Sequence, residues 1–355
     1  MTKKRVKTKK NNKKKKSGKK LNTIVAVIAI LILAGIVASL LFMKGQKLSN
    51  RETVTLYIPS GSTYEAVVDS LTVNNCIGSQ TLFNIMARLR HYKDNVKGGC
   101  YILKPEMNLW NTLTKLYYGN QDPIHVTIGK YRTKKQMCDY LGKRLEFNGD
   151  TLLALLEDDS VCASYGYTPK TIIAMFARNT YDIYWNTSTG KFLDRMHRES
   201  EKFWDKRLSK CKAMKLTPVE VTTLASIVDE ETNKDDEKEL IASVYLNRLR
   251  KNMLLQADPT LKYAVGDFTL KRILNKHMET ESPYNTYKYR GLPPGPICIP
   301  GTSSIDAVLA DRQSDYLYFC AKADFSGRHA FATNLAQHNA NAQAFHDALN
   351  RRKIY

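Results

Sequence analysis

Twenty consecutive residues without a charge, Ile24 to Met43, constrain this chain more than any other feature. A run of that length matches the roughly 20 apolar residues a helix needs to cross a bilayer. The apolar region of a cleaved signal peptide is usually shorter, about 7 to 15 residues, and ends at small residues. Here the run continues straight to Lys44, so residues 24–43 are expected to remain as an anchor. The first twenty residues hold twelve Lys and Arg and no acid, so residues 1–23 read as a basic tail kept in the cytoplasm, with everything after Lys44 outside. That tail also dominates the formal net charge of +21; without its twelve basic residues, 43 basic residues face 34 acidic ones. The charge is therefore a topology signal, helped by anionic lipid, and nucleic acid is not an expected partner.

Seven cysteines (Cys76, Cys100, Cys138, Cys162, Cys211, Cys298 and Cys320) are scattered without a Cys-x-x-Cys pair or a neighbouring His cluster, a spacing that argues against zinc. Buried, unpaired thiols are expected, and no metal or other cofactor. Past a short polar linker, Val54–Ile58 alternates as a strand does, Pro59 to Thr63 carries turn chemistry, and Tyr64 to Leu71 reads as a helix. Seventy residues on, the pattern recurs: Ile124–Ile128 is strand-like, Thr133 can cap, and Lys134 to Leu141 comes next as a helix, with Ile58, Thr63, Asp69 and Leu71 matched by Ile128, Thr133, Asp139 and Leu141. An internal strand-helix repeat is thus one of two readings. Between the copies, Gly98 to Leu103 reads as a strand, and Trp110, Leu113, Leu116 and Tyr117 share one helix face ended by Gly119. Residues 151–216 read as mostly helical, with a loop at 179–190 whose Tyr181, Tyr184 and Trp185 either stack on sugar or pack.

Thr217-Pro-Val-Glu220 is a capping box with Pro in the first turn, so a helix should begin at Pro218. Val221, Leu224, Ala225 and Val228 form its apolar stripe. At about 100° per residue Glu230 points almost opposite that stripe and Asp229 lies on its flank, while Glu231 falls roughly 70° from its centre. A carboxyl at the edge of a core loses hydration and stays protonated near neutral pH, as a general acid must. The same three acids are equally readable as a solvated helix end. Asp236 to Leu249 reads as a second helix, Tyr316–Phe319 and His329–Thr333 as paired strands, and Asn334 to Asn350 as a closing helix. Between Gly291 and Gly301, four prolines and three glycines in eleven residues impose an irregular backbone. Helices and strands mixed without βαβ regularity indicate an α+β fold.

Ala225-Ser-Ile-Val-Asp-Glu-Glu-Thr232, Asn247-Arg-Leu249, Leu255-Gln-Ala-Asp-Pro-Thr260, Ser282-Pro-Tyr-Asn-Thr-Tyr287 and Gly291-Leu-Pro-Pro-Gly-Pro296 together resemble the endolytic murein transglycosylase (YceG-like) family, in that family's order. The resemblance implies a small LysM-like α+β subdomain at 50–145, within which Gly99 to Gly119 carries the likeness, and a mixed α+β catalytic domain at 146–355. It implies cleavage of the bond between N-acetylmuramic acid and N-acetylglucosamine, with the muramic 6-hydroxyl attacking to leave a 1,6-anhydro end. Glu231 is then the catalytic acid, and Asp229 stands where relatives often have Glu. Peptidoglycan glycan strands, an inner membrane holding the chain with its catalytic part periplasmic, and peptidoglycan synthases are the implied partners. Gln256 and Asn285 are candidates for binding acetamido or hydroxyl groups, Tyr284 and Tyr287 for stacking or hydrogen bonding, and Asp258 for orienting the loop. Two rival readings stay open: a glycoside hydrolase pairing Glu231 with a second acid such as Asp258, and a non-catalytic wall-binding scaffold.

Overall fold

The computed structural model describes residues 22–40, 52–270 and 273–352. Most of the basic tail, the last three residues of the expected anchor and the linker behind it lie outside the described residues. Helix α1 (Asn22–Leu40) has a mean hydropathy of 2.9 and exposes its whole surface. Its 19 residues span about 28 Å, close to a bilayer's hydrocarbon thickness. It is long and apolar enough to cross a membrane.

The chain divides into two compact units between Pro123 and Ile124. In the first, β1 (Val54–Ile58) leads through α2 (Tyr64–Val73) and α3 (Gln80–Leu89) to β2 (Gly99–Leu103) and α4 (Leu109–Tyr118). The strands pair antiparallel, with Leu56 opposite Tyr101. Leu56, Ile58, Leu71, Phe83, Tyr101 and Leu113 fill the core under this pair. Thr63 starts α2 by accepting from the Ala66 N–H, and Gly119 ends α4 in the left-handed conformation (φ 68°) that a side chain resists.

The second unit opens by repeating that plan. β3 (Ile124–Ile128), α5 (Lys134–Arg144), α6 (Gly149–Glu157) and α7 (Asp159–Ser164) lead to β4 (Asn179–Ile183) and α8 (Thr189–Asp205). β3 and β4 pair antiparallel with Val126 opposite Tyr181, the register of Leu56 and Tyr101 carried forward. Thr133 caps α5 as Thr63 caps α2. Tyr101 and Tyr181, both buried, each donate their hydroxyl to the carbonyl four residues back, Lys97 and Ala177, at 2.9 Å. The strand-helix repeat read from the sequence is therefore a longer strand-helix-helix-strand-helix unit.

One sequence expectation is corrected here. The compact units divide at 123/124, and β3 takes its partner strand from residues 179–183, so it folds with the C-terminal part of the chain. Residues 179–183, expected to be loop, form that partner strand. Tyr181 is consequently core, whereas Tyr184 beyond the strand end is exposed.

The remainder of the second unit comprises α9 (Leu208–Met214), α10 (Pro218–Glu231), α11 (Asp235–Arg250), α12 (Asp258–Val265), α13 (Asn275–Met278), α14 (Thr302–Leu309), the hairpin β5 (Tyr318–Ala321) and β6 (His329–Ala332), and α15 (Leu335–Arg351). Helix α10 packs against α11, α12 and α14. The segment before α14 stitches this helical part to the repeat: the Ile297 N–H reaches Ser226 Oγ on α10 at 3.0 Å, while Ile299 donates to the Tyr131 carbonyl at 2.9 Å and accepts from Arg178. That stitching explains the density of proline and glycine there. All seven cysteines are free thiols, six of them buried and Cys320 partly so.

Candidate active site

The capping box expected at Thr217 is present, with Glu220 bonding back to the Thr217 N–H at 2.7 Å. Helix α10 is not one-sided, however. Every residue from Val221 to Asp229 is buried, since neighbouring helices and the 297–301 segment surround it. The three acids at its end consequently have three different environments, none of them open solvent.

Asp229 is 5 % exposed. Its carboxylate accepts from the Ser304 hydroxyl at 2.6 Å and the Gly301 N–H at 3.2 Å, and it pairs with Arg178 at 2.5 Å and Lys130 at 3.1 Å. Burial opposes its ionisation, but the Ser304 bond and the two cations outweigh that cost and hold the pKa at about 2. Glu230, expected on the solvent side, has its side chain only 11 % exposed. Arg132 grips it with a two-pronged fork, Nε to Oε1 at 3.1 Å and Nη2 to Oε2 at 2.9 Å, and Lys130 adds a contact at 3.1 Å. Both acids are thus committed to internal ion pairs.

Glu231 differs from both. It faces a cavity of about 440 Å³ lined also by Tyr245, Arg248, Gln256, Asp258 and Tyr287. The buried Tyr245 on α11 donates its hydroxyl to Glu231 Oε1 at 2.6 Å. Burial pushes the Glu231 carboxyl up to about 7; the Tyr245 hydrogen bond pulls down, and the Asp258 charge pushes up again. Burial likewise raises the Tyr245 phenol well above its ordinary value, so it stays a neutral donor. A carboxyl that exchanges its proton near neutrality can act as acid in one step and base in the next.

The rest of the cavity is held by Arg248, which is 7 % exposed. Its guanidinium donates to the Leu317 carbonyl at 2.6 Å and the Leu255 carbonyl at 2.9 Å, joining the loop before α12 to the hairpin. It also reaches Gln256 Oε1 at 3.3 Å, which leaves the Gln256 amide N–H groups free to donate. Gln256 sits at φ 48°, a left-handed conformation that costs a non-glycine residue energy and gathers at functional sites. Asp258, at the start of α12, accepts from the Tyr287 hydroxyl at 2.5 Å.

Of the six site residues expected from sequence, four therefore share one cavity: Glu231, Gln256, Asp258 and Tyr287. Asn285 does not reach it. That residue is wholly buried, its Nδ2 donating to the Met278 and Thr280 carbonyls at 2.9 Å and its Oδ1 accepting from the Tyr287 N–H at 3.0 Å. Its role is to shape the loop that delivers Tyr287. Tyr284 lies in a different cavity, against Tyr263. Sequence reasoning missed Tyr245, Arg248, His329 and His338, all in the cavity wall. Of these, Arg248 alone lies within one of the five sequence motifs. His329 is held from 92 residues away by Glu237, whose carboxylate accepts from its backbone N–H at 2.9 Å and lies 3.1 Å from Nδ1.

The YceG-like family profile matches residues 56–344, most of the chain. This chain belongs to the YceG-like family. A relative from Bacillus subtilis (strain 168), named endolytic murein transglycosylase, is 30% identical over 319 residues, covering 85% of this chain and 88% of the relative. A protein of the same name from Streptococcus pneumoniae (strain D39) is 27% identical over 323 residues, which cover 82% of this chain but 58% of that longer relative. Among solved structures, a yceG-like protein from Listeria monocytogenes superposes with a TM-score of 0.56 at 29% identity, covering 82% of this chain and 99% of that one. Both the cavity carrying Glu231 and the two acids beside it lie inside the matched region of this YceG-like chain.

Proposed function

We propose that this protein is an endolytic lytic transglycosylase that cuts peptidoglycan glycan strands between N-acetylmuramic acid and N-acetylglucosamine, with Glu231 as its acid and base. The observation that carries this reading is a cavity-facing carboxyl that burial pushes up to about 7, hydrogen-bonded to a phenol that stays neutral. The name shared by the Bacillus and Streptococcus relatives supports it. In the first step Glu231 gives its proton to the glycosidic oxygen as the bond from the muramic C1 breaks. In the second the carboxylate takes the proton of the muramic 6-hydroxyl as that oxygen bonds to C1, so the proton count closes and no water is consumed. An intramolecular nucleophile has a high effective concentration, so no second carboxylate is required. Gln256 would offer its amide N–H to an acetamido or hydroxyl oxygen, and Tyr287, oriented by Asp258, would line the sugar path.

A second reading rests on Asp258, which lines the same cavity and whose charge acts on Glu231. Two carboxylates flanking a scissile bond are the usual hydrolase arrangement. The product separates the two: incubation with uncrosslinked glycan strands and mass spectrometry of the ends should show 1,6-anhydro-muramyl termini, whereas reducing termini would establish the hydrolase.

On the same proposal α1 anchors the chain in the inner membrane with the catalytic unit outside, where strands are made, and cutting near a synthase would terminate nascent strands. The strand-helix-helix-strand order of residues 54–103 fits the LysM-like, glycan-engaging role expected for the first unit. Protease accessibility of the C-terminal unit in intact spheroplasts tests the orientation.

A further inference from the structure

Two segments of the catalytic part line two cavities. Helix α12 presents Asp258 to the Glu231 cavity and, five residues and about 7.5 Å further along its axis, Tyr263 to a second one. The loop 282–287 does the same, with Tyr287 in the first cavity and Tyr284 in the second. The second cavity measures about 470 Å³, within the range that accommodates small ligands. Its other wall comes from the repeated unit and includes Leu153 on α6, Ile173, Glu157, Lys134, Lys135 and Lys170. The Tyr263 and Tyr284 rings lie 4.7 Å apart at 45°, making a continuous aromatic surface.

Three lysines line this cavity and they differ: Lys135 pairs with Asp139 at 2.8 Å. Lys134 is spent on the fold, donating to the Leu156 and Pro169 carbonyls and pairing with Glu157 at 2.8 Å. Lys170 is exposed and has no ion-pair partner among the described residues. Its backbone is nonetheless fixed, since a Cβ on Gly295 would stand 2.2 Å from the Lys170 carbonyl oxygen. The Gly291–Pro296 motif thus lies directly on the segment carrying the free ammonium, and only glycine permits that approach.

We propose that this second cavity is a glycan subsite that seats a muramyl residue of the same strand, its apolar face on Tyr263 and Tyr284 and a carboxylate of its peptide stem on Lys170. The proposal deepens the glycan-cutting reading and rests on it. An aromatic surface beside an unpaired cation matches a sugar that carries an anionic peptide, and does not match a plain neutral glycan. The subsite would make the enzyme sense stem peptides at a position removed from the bond it cuts.

The test measures binding of full-length protein, in the Glu231→Gln background to stop turnover, to uncrosslinked strands with intact pentapeptides and to the same strands stripped of peptide. Lys170→Glu should weaken binding of peptide-bearing strands about tenfold, the worth of one charge-assisted contact, and leave stripped strands within about twofold. Leu153→Trp, which fills the cavity from its repeat side, should weaken both. An unchanged affinity of Lys170→Glu for peptide-bearing strands, or equal weakening for both strand types, overturns the proposal. Because Lys170 is exposed, its variants should fold even if Leu153→Trp does not, so Lys170→Glu is the deciding variant. Residual cutting by the Glu231→Gln background would instead count against the catalytic assignment and leave the binding comparison standing.

Discussion

Replacing Glu231 with Gln should abolish cutting and at the same time stabilise the fold, in a pH window set by the buried carboxyl. In the unfolded chain this group loses its proton near the ordinary 4.5, in the folded chain only near 7. The folded state therefore binds more protons between those values, and stability falls as pH rises from about 4.5 to 7, after which the deficit is constant. At about 1.4 kcal/mol per pH unit the full difference is about 3 kcal/mol. Water in the cavity screens part of it, bringing the expected penalty to about 1–2 kcal/mol. Gln cannot ionise and can still accept from Tyr245, so the variant lacks the penalty. Thermal unfolding of both proteins from pH 4 to 8.5 should show curves that nearly coincide at the acid end and separate above pH 7, the variant melting about 3–6 °C higher. Anhydro products should be absent from the variant throughout. Parallel melting behaviour at all pH values would refute the buried-acid argument, and persistent anhydro ends would refute the catalytic one.

Tyr245→Phe keeps the ring packed edge-on against Phe319 but removes a bond that lowers the Glu231 pKa; the alkaline limb of kcat/KM against pH should move up by about one pH unit, and an unmoved or lowered limb would contradict the assignment. Asp229→Asn leaves Arg178 and Lys130 without their buried anion, so it should cost about 2–3 kcal/mol near neutral pH by chemical denaturation. Because the Asp229 pKa is lowered to about 2, its stabilising effect is present above the usual carboxylate range and is lost as pH falls through 2, and the deficit of the Asn variant should vanish there. Glu230→Gln breaks the Arg132 fork and should lower stability by about 1–3 kcal/mol while leaving activity per folded molecule within a few fold; a loss as complete as that of Glu231→Gln would mean the two acids share the chemistry.

Legibility in the sequence tracks the range of the interactions involved. Thr217 and Glu220, or Thr63 and Ala66, settle helix starts within four residues of chain, so the helix boundaries were legible. The 70-residue offset between β1 and β3 was visible as well, because strand and cap recur together. Its continuation was not, since the second strand and the helix that follows it return after 80 residues, and an insertion between the halves hides the match from a fixed offset. The helix wheel picked Glu231 for an incomplete reason. It assumed one buried face, whereas α10 is enclosed on all sides, and it therefore sent Glu230 to solvent when Arg132, 98 residues away, holds it inside.

The distinction among the three acids is a property of partners, not of angle around the helix. Asp229 and Glu230 each meet cations brought from β3's far end and beyond, at Lys130, Arg132 and Arg178. Glu231 meets a phenol and a cavity. All three are carried into low dielectric, where a carboxyl either finds positive charge and ionises or lacks it and keeps its proton. Lys130, Arg132 and Arg178 come from the repeated strand-helix unit, 51 residues or more earlier in the chain, and Lys238 on α11 stands 3.7 Å from Asp229 as well. That unit's packing against α10 thereby supplies ion partners to Asp229 and Glu230, while Glu231, hydrogen-bonded to a phenol, is the carboxyl that burial raises. The Glu231 cavity itself is lined by residues 231–338, all outside that repeat, so separating the repeat from residues 206–352 should take the cations from Asp229 and Glu230 and leave in place the burial that raises Glu231.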